Sequence, residues 1–457
     1  MRLSDYEESF MRVHGVPPRV GFLGLGVSNL AILRDTHTKR IVLRSRDRID
    51  VDKIPASITP EAIYEGDAAL MGIYEDILVL SPSVRRDKPE LIRARERGTY
   101  ITSDAELFFF DLKRDSYAVT GSDGKSTTSA LIHLLLSERY PDAELLGNGG
   151  VPFALSATLG PVVAELSSFQ LSYMKPRTKC AVITSISENH LDWHKSFDEY
   201  AEAKLGILEN ATVRVVSPDT EWMREHIRLA RPTVIYSVKY TAAELYRMYP
   251  RADGYVTATP ENILLDGRIL LPVSDIRRRE WYNLHNLMGA IGATLGECSE
   301  DHIRRVAREF PGLCERLEHF HSSFGVDFIS SSIDTSPARM AASLTALGRR
   351  VRLIMGGRGK GLSLSPYAPV LRKYPKSISL YGEVAKEYLS ELSELGITRA
   401  TPCRAFSRLA EAIEDATAGL CPGDTVLLSP AATGYGEFRS FVERGLYFKD
   451  YIRKKYV

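Results

Sequence analysis

The segment TGSDGKSTT at residues 120–128 combines residue types that bind phosphate with a spacing that brings them to one point. Gly121 and Gly124 allow a tight turn whose backbone N–H groups converge on an anion, and a helix after such a turn adds its positive N-terminal end. Lys125 supplies a positive charge, and Ser126 supplies a hydroxyl that can bind Mg²⁺. The segment therefore predicts a site for a nucleoside triphosphate.

Three other residues could complete such a site. Glu165 ends an apolar segment, where a carboxylate can bind Mg²⁺ through oxygen, although a solvent-facing strand end is the alternative. His190 follows an apolar strand amid polar residues, which favours a functional role over a structural one. Lys204 by itself is typical of an exposed helical lysine. The common phosphate-loop pattern also has a glycine where this chain has Val119, so an ordinary strand-to-helix turn is the alternative for the whole segment.

A second glycine turn, with Gly24 and Gly26, follows the apolar segment at 19–23 and precedes a predicted helix. This pattern predicts a Rossmann-like unit, in which Ser28 and Asn29 are candidate nucleotide-binding residues. The next strand ends in basic residues rather than in the acid that would bind the ribose of NAD, which argues against a nicotinamide oxidoreductase. Two interpretations of this glycine turn remain. It binds a phosphate of another nucleotide at the N-terminus of the helix, or it serves only for packing.

Short apolar segments with polar ends predict the strands that must position these residues. Helical segments separate most of them, which favours mostly parallel, doubly wound sheets. Residues 240–275 are expected to add β-hairpins, and a helix is expected from His285 to Ala293. The predicted strands include 40–43, 77–80, 100–103, 161–165, 180–184, 213–216, 233–236, 326–329, 351–355, 377–380 and 425–428.

Length and composition bound the class of protein. At 457 residues the chain is expected to form three domains of roughly 150 residues each. The formal charge of +1 gives no reason to expect nucleic acid or an anionic membrane as a partner. The five cysteines include no C-x-x-C pair, and no apolar stretch is long enough for a signal peptide or a membrane span, so we expect a cytoplasmic protein without membrane insertion.

Taken together, the motifs and their order resemble the Mur ligase family, most closely the members that add D-glutamate to a UDP-linked muramoyl substrate. The shortened glycine turn, which lacks the extra glycine at Val119, is itself typical of that family. The motifs are TGSDGKSTT at 120–128, GNGGVP at 147–152, ELSSFQL at 165–171, SENHLDWH at 187–194, YAEAKL at 200–205, LHN at 284–286, GLCERLE at 312–318, GGRGKG at 356–361 and LSPAATGYGEFRSFVERG at 428–445.

The resemblance implies an α/β enzyme of three domains. Residues 1–104 would form a Rossmann-like domain for the uridine nucleotide, 105–312 a central P-loop-type ATPase with a mostly parallel sheet, and 313–457 a Rossmann-like ligase domain. ATP would phosphorylate the carboxylate of UDP-N-acetylmuramoyl-L-alanine, and the amine of the amino acid would attack the acyl phosphate. Partners would be limited to these substrates, and the enzyme would be a monomer.

The resemblance also implies roles for individual residues. Catalysis is assigned to Lys125, His190 and Lys204, with Lys204 carried as a carbamate. ATP would contact Gly121, Ser122, Asp123, Gly124, Lys125, Ser126, Thr127, Asn286 and Arg316. Two Mg²⁺ ions would be held by Ser126, Glu165, His190 and the Lys204 carbamate. Asn148, Ser167 and Gln170 would contact the UDP-linked substrate, and Thr335, Lys360, Thr433 and Phe438 the amino acid.

The chain departs from the family pattern at several positions. Gly289 replaces a second asparagine after the HN pair, and Glu315 replaces the histidine before Arg316. Residues 331–336 read SSIDTS where DSKATN is usual, and Gly434 replaces a serine of the amino-acid site, with Thr433 as a substitute. The phosphate and metal residues are therefore intact, whereas the amino-acid pocket is altered. A ligase for another amino acid or acceptor, and a non-catalytic nucleotide-binding relative, remain the alternatives.

Overall fold

The computed structural model describes residues 2–148, 151–191, 193–229, 231–359, 361–434 and 436–456. The chain forms two compact units, Met1–Phe310 and Pro311–Val457. In the described ranges, no helix has the length and apolar character needed to cross a bilayer. The mixed α/β fold is confirmed, while the division into three domains at residues 104 and 312 stays a prediction.

The first sheet of unit Met1–Phe310 is fully parallel, with strand order β3-β2-β1-β4-β5. Its central strands are short apolar runs that are buried along their length, as expected for a sheet covered on both faces. The elements are α1 (Leu3–His14), β1 (Val20–Leu23), α2 (Val27–Leu33), β2 (Ile41–Ser45), β3 (Ala62–Glu65), β4 (Ile77–Leu80), α3 (Pro89–Glu96), β5 (Tyr100–Thr102) and α4 (Asp104–Phe109).

Arg44 is the first of the basic residues that follow the predicted strand 40–43, and the structure includes it in β2. The arginine is 1% exposed and lies inside β2, where its guanidinium pairs with Glu75 at 2.8 Å and donates to three backbone carbonyls. A buried arginine of this kind supports the fold. Its charge is used within the sheet and does not indicate a nucleotide, so the argument against NAD rests on the absence of an acid at the end of this strand.

The second sheet of the same unit has order β14-β13-β12-β11-β10-β9-β6-β8-β7. It is parallel from β7 to β12 and ends in an antiparallel hairpin. The strands are β6 (Ser116–Thr120), β7 (Glu144–Gly147), β8 (Val162–Glu165), β9 (Thr178–Ile183), β10 (Ala211–Val216), β11 (Thr233–Ser237), β12 (Gly254–Ala258), β13 (Asn262–Leu265) and β14 (Arg268–Pro272). The helices are α5 (Lys125–Leu136), α6 (Ser168–Leu171), α7 (Phe197–Leu205), α8 (Glu221–His226), α9 (Ala242–Met248), α10 (Trp281–Ala293) and α11 (Glu300–Glu309).

The expected β-hairpin region and the expected helix are both present, with different bounds. Residues 240–275 begin with helix α9 and a parallel strand before the β13–β14 hairpin. Helix α10 begins at Trp281, four residues before the predicted start at His285. It packs against α5, so the helix that follows the 121–124 turn is held on the sheet by an apolar neighbour.

Unit Pro311–Val457 contains a sheet of order β15-β16-β20-β17-β18-β19, parallel except for the edge strand β15. Sequence patterning did not predict β15, whose residues alternate between half-buried and exposed without an apolar run. The strands are β15 (Glu318–Ser323), β16 (Val326–Ser330), β17 (Val351–Gly356), β18 (Pro375–Tyr381), β19 (Cys403–Phe406) and β20 (Thr425–Leu428). The helices are α12 (Pro337–Leu347), α13 (Ala368–Lys373), α14 (Ala385–Glu394), α15 (Leu409–Thr417) and α16 (Phe441–Lys455).

Candidate active site

The turn between β6 and α5 is closely packed at both of its glycines. A Cβ atom on Gly121 would lie 1.9 Å from the Thr184 Oγ1 atom, and one on Gly124 would lie 2.2 Å from the Asn286 Oδ1 atom. Gly124 also caps α5 with φ of 83°, a conformation that favours glycine. Both positions therefore require glycine, and the backbone of the turn is held at the carboxyl end of the sheet, where open α/β folds bind ligands.

Two lysine side chains meet at this turn. The Lys125 Nζ atom donates to the carbonyl oxygens of Gly121 at 2.7 Å and Ser122 at 2.9 Å. The Lys204 Nζ atom donates to the same Gly121 oxygen at 2.8 Å and to the Thr120 Oγ1 atom at 3.3 Å. Lys204 is thus not the exposed helical lysine that its local sequence suggests, since it is 2% exposed.

The environment of Lys204 favours its neutral amine. Burial, and then the positive charge of Lys125, lower the pKa of Lys204 well below its ordinary value, while the charges of Glu165 and Asp123 act in the opposite direction. Loss of solvation penalises the charged form of an amine, and a second cation nearby adds to that effect. A buried neutral amine is the form that can react with an electrophile such as carbon dioxide.

Glu165 presents a carboxylate oxygen that lacks a hydrogen-bond partner. The residue ends β8 and is 1% exposed, and its Oε1 atom accepts a hydrogen bond of 3.1 Å from the Asn148 side-chain amide. Its Oε2 atom is buried, and none of the described residues donates to it. An unpaired buried carboxylate oxygen is unfavourable unless a cation or donor completes it. The unpartnered Oε2 atom therefore fits the role of Mg²⁺ ligand that the sequence predicts for Glu165.

His190 lies close to Lys204, with the Tyr200 ring between them. It is exposed, has φ of 54°, and its ring contacts the rings of Phe169 and Tyr200 at centroid distances of 5.1 and 6.5 Å. The Tyr200 ring in turn lies 4.8 Å from the Lys204 Nζ atom. Left-handed backbone at a non-glycine residue is uncommon and is often found at functional sites.

The described residues contain no group of three or more His, Cys, Asp or Glu side chains arranged to hold a metal ion. A metal site built from the predicted residues would therefore need oxygen donors of other kinds. Ser126, which is half-buried in the first turn of α5, and a carbamate on Lys204 are donors of that sort. The predicted set thus fits Mg²⁺ only with these oxygens included.

The other predicted ATP contacts differ in their surroundings. Asp123 is exposed, whereas Thr127 is buried in α5. Asn286 is 6% exposed, and its Oδ1 atom accepts a hydrogen bond of 3.4 Å from the Thr128 hydroxyl, so it braces the start of α5. Arg316 belongs to unit Pro311–Val457, where it is half-buried. The assignment of these residues to ATP stays a prediction.

Gly289 departs from the family pattern for a visible steric reason. A Cβ atom at this position would lie 3.2 to 3.5 Å from two ring carbons and the hydroxyl oxygen of Tyr236. The Tyr236 hydroxyl donates to the carbonyl oxygens of Ile183 and Thr184, at 3.1 and 3.2 Å. The tyrosine therefore fills the space beside Gly289, and a larger side chain there would require it to move.

The predicted UDP-substrate residues Ser28 and Asn29 make contacts within the protein. The Ser28 side chain hydrogen-bonds with the buried carboxylate of Asp104. Asn29 is 1% exposed, and its side-chain amide donates to the carbonyl oxygens of Gly24 at 2.7 Å and Val79 at 3.3 Å. Asn29 therefore ties the glycine turn to β4, and a role of either residue toward uridine stays a prediction.

Ser167 and Gln170 form a local capping box at the start of α6. The Ser167 amide and hydroxyl both donate to the Gln170 Oε1 atom, at 2.8 and 2.9 Å. The backbone N–H group of Gln170 donates back to the Ser167 Oγ atom at 3.3 Å. Such a box satisfies the free N–H groups of a helix start, so the ELSSFQL motif fixes the chain directly after Glu165.

In unit Pro311–Val457, the predicted amino-acid residues lie on loops at the strand ends. The Thr433 hydroxyl donates to the Arg358 carbonyl oxygen at 3.0 Å, Thr335 is half-buried, and Phe438 packs against Tyr447. Lys360 lies outside the described residues. At Gly434 a Cβ atom would lie 2.9 Å from the Ser440 carbonyl oxygen, so the serine usual at this position has no room.

Sequence reasoning missed two buried cations in this unit. Arg444 is 0% exposed and donates to Ser332 and to the Ala432 carbonyl oxygen, which joins the 331–336 segment to the 431–434 loop. Lys449 pairs with the buried carboxylate of Glu315 at 2.7 Å. Glu315, the residue in place of the usual histidine, is therefore an ion-pair partner. Both cations lie on the buried face of α16 with Phe448 and Ile452. A charged residue on an otherwise apolar helix face could have indicated their burial from the sequence.

The Mur ligase middle domain model matches residues 119–294 of the chain. The chain is 32% identical to the UDP-N-acetylmuramoylalanine–D-glutamate ligase of Acetivibrio thermocellus, over 99% of this chain and 98% of that protein. The chain belongs to the Mur ligase family. The matched residues of this Mur ligase include the 121–124 turn, Glu165, His190 and Lys204.

Solved Mur ligases share the fold of this Mur ligase at low sequence identity. The UDP-N-acetylmuramate–alanine ligase of Thermotoga maritima superposes with a TM-score of 0.58 at 19% identity and covers 96% of this chain and 99% of that chain. The MurF ligase of the same organism, solved in complex with ADP, superposes with a TM-score of 0.53 at 15% identity and covers 83% of this chain and 95% of that chain. These likenesses confirm the α/β fold of the Mur ligases for this chain.

Proposed function

We propose that this Mur ligase uses ATP to join D-glutamate to UDP-N-acetylmuramoyl-L-alanine, as a step in the synthesis of peptidoglycan precursors. The observation that carries the proposal is the 32% identity to a ligase of that name along nearly the full length of both chains. The packed 121–124 turn with its two lysines supplies a place for triphosphate chemistry. A protein that had lost catalysis would be free to lose some of these residues.

In the proposed reaction, a carboxylate oxygen of the UDP-linked substrate attacks the γ-phosphorus of ATP, and ADP leaves. The amine of D-glutamate then attacks the carbonyl carbon of the acyl phosphate, loses a proton, and expels inorganic phosphate as the amide forms. Both steps crowd negative charge onto oxygen atoms, which positive groups and oriented N–H groups stabilise. Lys125 and the 121–124 backbone would do so for the transferred phosphate.

We assign Mg²⁺ to Ser126, Glu165, His190 and Lys204, with Ser126 and Glu165 on one ion and His190 on a second. Bound Mg²⁺ would neutralise negative charge on the phosphate oxygens. The unpartnered Glu165 oxygen supports this assignment. Asn148 donates to the other Glu165 oxygen and would therefore orient the carboxylate toward the ion.

Lys204 is proposed to act as a carbamate. Its neutral amine would attack carbon dioxide and release one proton, which converts a buried amine into an anion. The lowered pKa of Lys204 favours the neutral amine that this step needs. The resulting anion would lie beside Lys125 and would form an ion pair with it.

The remaining parts of the proposal are the three-domain division at residues 104 and 312, a monomeric state, and action in the cytoplasm on soluble substrates. The residues assigned to uridine (Ser28, Asn29), to the substrate sugar and diphosphate (Asn148, Ser167, Gln170) and to the amino acid (Thr335, Thr433, Phe438) also belong to it.

The experiment that tests the function is ADP release with UDP-N-acetylmuramoyl-L-alanine and a panel of amino acids. We expect turnover with D-glutamate well above that with L-glutamate or with neutral D-amino acids. The altered residues Ile333 and Gly434 favour one second candidate, a ligase for another amino acid. Equal or faster turnover with a neutral amino acid would establish that alternative, and no ADP release with any of them would support a non-catalytic relative.

A further inference from the structure

The loop at 81–88, which follows β4, lines the expected ligand crevice of the first sheet. The order β3-β2-β1-β4-β5 places the switch point of the sheet between β1 and β4, and open α/β sheets bind ligands outside the carboxyl ends of their strands at that point. The Ser81 amide donates to the Leu23 carbonyl oxygen at 2.9 Å, and the Ser81 side chain packs on Gly24. This loop is therefore next to the proposed uridine nucleotide site.

The same loop contacts Trp193, which follows strand β9 of the second sheet. The Trp193 Nε1–H group donates to the Ser83 carbonyl oxygen at 2.8 Å. The Arg85 guanidinium donates to the Trp193 carbonyl oxygen and lies over the indole ring, with its Cζ atom 4.8 Å from the ring centroid. Two ion pairs add to this contact, Arg85 with Glu199 at 3.0 Å and Lys195 with Asp87 at 2.9 Å.

Trp193 belongs to one short turn with His190. The backbone amides of Trp193 and His194 both donate to the His190 carbonyl oxygen, at 3.1 and 3.0 Å. His190 adopts φ of 54°, an uncommon conformation that persists where neighbouring contacts fix it. Because the turn is this tight, the position of Trp193 limits where His190 can lie.

We infer that Arg85 and Trp193 are positioning residues that couple the uridine nucleotide site to the metal site by fixing the turn that carries His190. The inference rests on the proposed function, since it takes His190 as a metal ligand and the first sheet as the uridine site. A substrate that contacts the 81–88 loop would restrain, through Arg85 and Trp193, the turn that carries His190. By linkage, substrate then strengthens divalent-metal binding, and the metal strengthens substrate binding by the same factor.

The test measures Mn²⁺ binding calorimetrically in the presence of a non-hydrolysable ATP analogue, with and without UDP-N-acetylmuramoyl-L-alanine. For the unmodified enzyme we expect the substrate to tighten Mn²⁺ binding by at least about fivefold. Trp193→Phe keeps an aromatic ring but removes the Nε1–H donor, and Arg85→Gln removes the charge, so each should bring this ratio close to one.

Matched controls are Trp222→Phe and Arg93→Gln. Trp222 stacks on His226 in α8, and the Arg93 side chain is 58% exposed and pairs with Glu90. Both controls should keep the ratio of the unmodified enzyme. If Trp193→Phe and Arg85→Gln also keep it, or if the unmodified enzyme binds both ligands with a ratio of one, the coupling is refuted while the proposed function stands. If the unmodified enzyme binds neither ligand, the proposed function fails and the coupling fails with it.

Discussion

Lys125 and Lys204 donate hydrogen bonds to one acceptor, the carbonyl oxygen of Gly121, at 2.7 and 2.8 Å. Because Lys204 is buried beside the positive charge of Lys125, its pKa is lowered and its neutral amine is favoured. A carbamate on Lys204 would turn this neutral amine into an anion that pairs with Lys125, and the phosphate oxygens of ATP would give Lys125 a further partner. Both changes belong to the proposed reaction, so this pair of lysines is a direct place to test it.

Replacing Lys125 with alanine removes the charge that the proposed site directs at the transferred phosphate. We expect Lys125→Ala to abolish ATP turnover, with kcat lowered at least about 100-fold. ADP release under saturating substrates measures this loss. Lys113→Ala is the matched control, since the Lys113 side chain is 84% exposed, and it should leave turnover unchanged. Near-normal turnover in Lys125→Ala would remove this lysine from the phosphate site.

Replacing Lys204 with alanine deletes both the amine and any carbamate formed on it. We expect Lys204→Ala to lose activity and to regain part of it when formate or acetate is added, because a small carboxylate can occupy the space of the carbamate. The same concentration of chloride, which matches ionic strength but offers no carboxylate oxygens, should give no rescue. Full activity of Lys204→Ala without added acid would contradict the carbamate role.

Ile333 stands where the family pattern has a lysine, so this chain lacks one positive group near the expected amino-acid site. We expect Ile333→Lys to lower the KM for D-glutamate about 10-fold, the effect of a charge-assisted hydrogen bond of about 1.5 kcal/mol. Ile333→Met, which has similar length and no charge, should leave KM nearly unchanged. Equal KM values for the two variants would indicate that position 333 does not face the amino acid's carboxylates.

The phosphate turn and the strands around it could be predicted because the signals are local. Gly121, Gly124 and Lys125 lie within a few residues of one another, and apolar runs such as those of β1 and β4 indicate buried parallel strands by composition alone. The predicted bounds were less accurate where a helix begins with polar or aromatic residues, as α10 does at Trp281.

The environment of single charged residues could not be predicted, because it depends on partners far along the chain. Lys204 resembles a surface lysine in its own helix, but it is buried and donates to Thr120 of β6 and to Gly121 of the 121–124 turn. Arg44 is neutralised by Glu75, 31 residues later. Arg85 and Trp193 are 108 residues apart, and nothing in the local sequence of either residue predicts their contact.

Asp104 predicts a dependence of stability on pH. It is 4% exposed, accepts hydrogen bonds from the amides of Phe153 and Ala154, and burial raises its pKa to about 7. An unfolded aspartate has a pKa of about 3.9, so between these values the folded protein keeps a proton that the unfolded chain has released. The free energy of unfolding therefore falls as pH rises through this window, by about 1.4 kcal/mol per pH unit.

Urea unfolding of the unmodified protein and of Asp104→Asn at pH 5 and pH 8 measures this effect. The asparagine variant cannot lose the proton, so its stability relative to the unmodified protein should increase by about 2 to 3 kcal/mol between the two pH values. Asp111→Asn, at a side chain that is 56% exposed, should show no such change. A difference between Asp104→Asn and the unmodified protein that does not vary with pH would contradict the raised pKa.

The buried pair of Arg44 and Glu75 predicts a large loss of stability when one partner is removed. The two side chains are 1% and 0% exposed, and Arg44 also donates to the carbonyl oxygens of Ala69, Met71 and Gly72. Arg44→Met leaves a buried carboxylate without its partner, together with three unpaired carbonyls, so we expect a loss of about 3 to 5 kcal/mol in urea unfolding. The double variant Arg44→Met with Glu75→Leu removes the orphaned charge as well and should recover part of that loss. If the double variant were no more stable than Arg44→Met alone, the carbonyl hydrogen bonds rather than the ion pair would account for the role of Arg44.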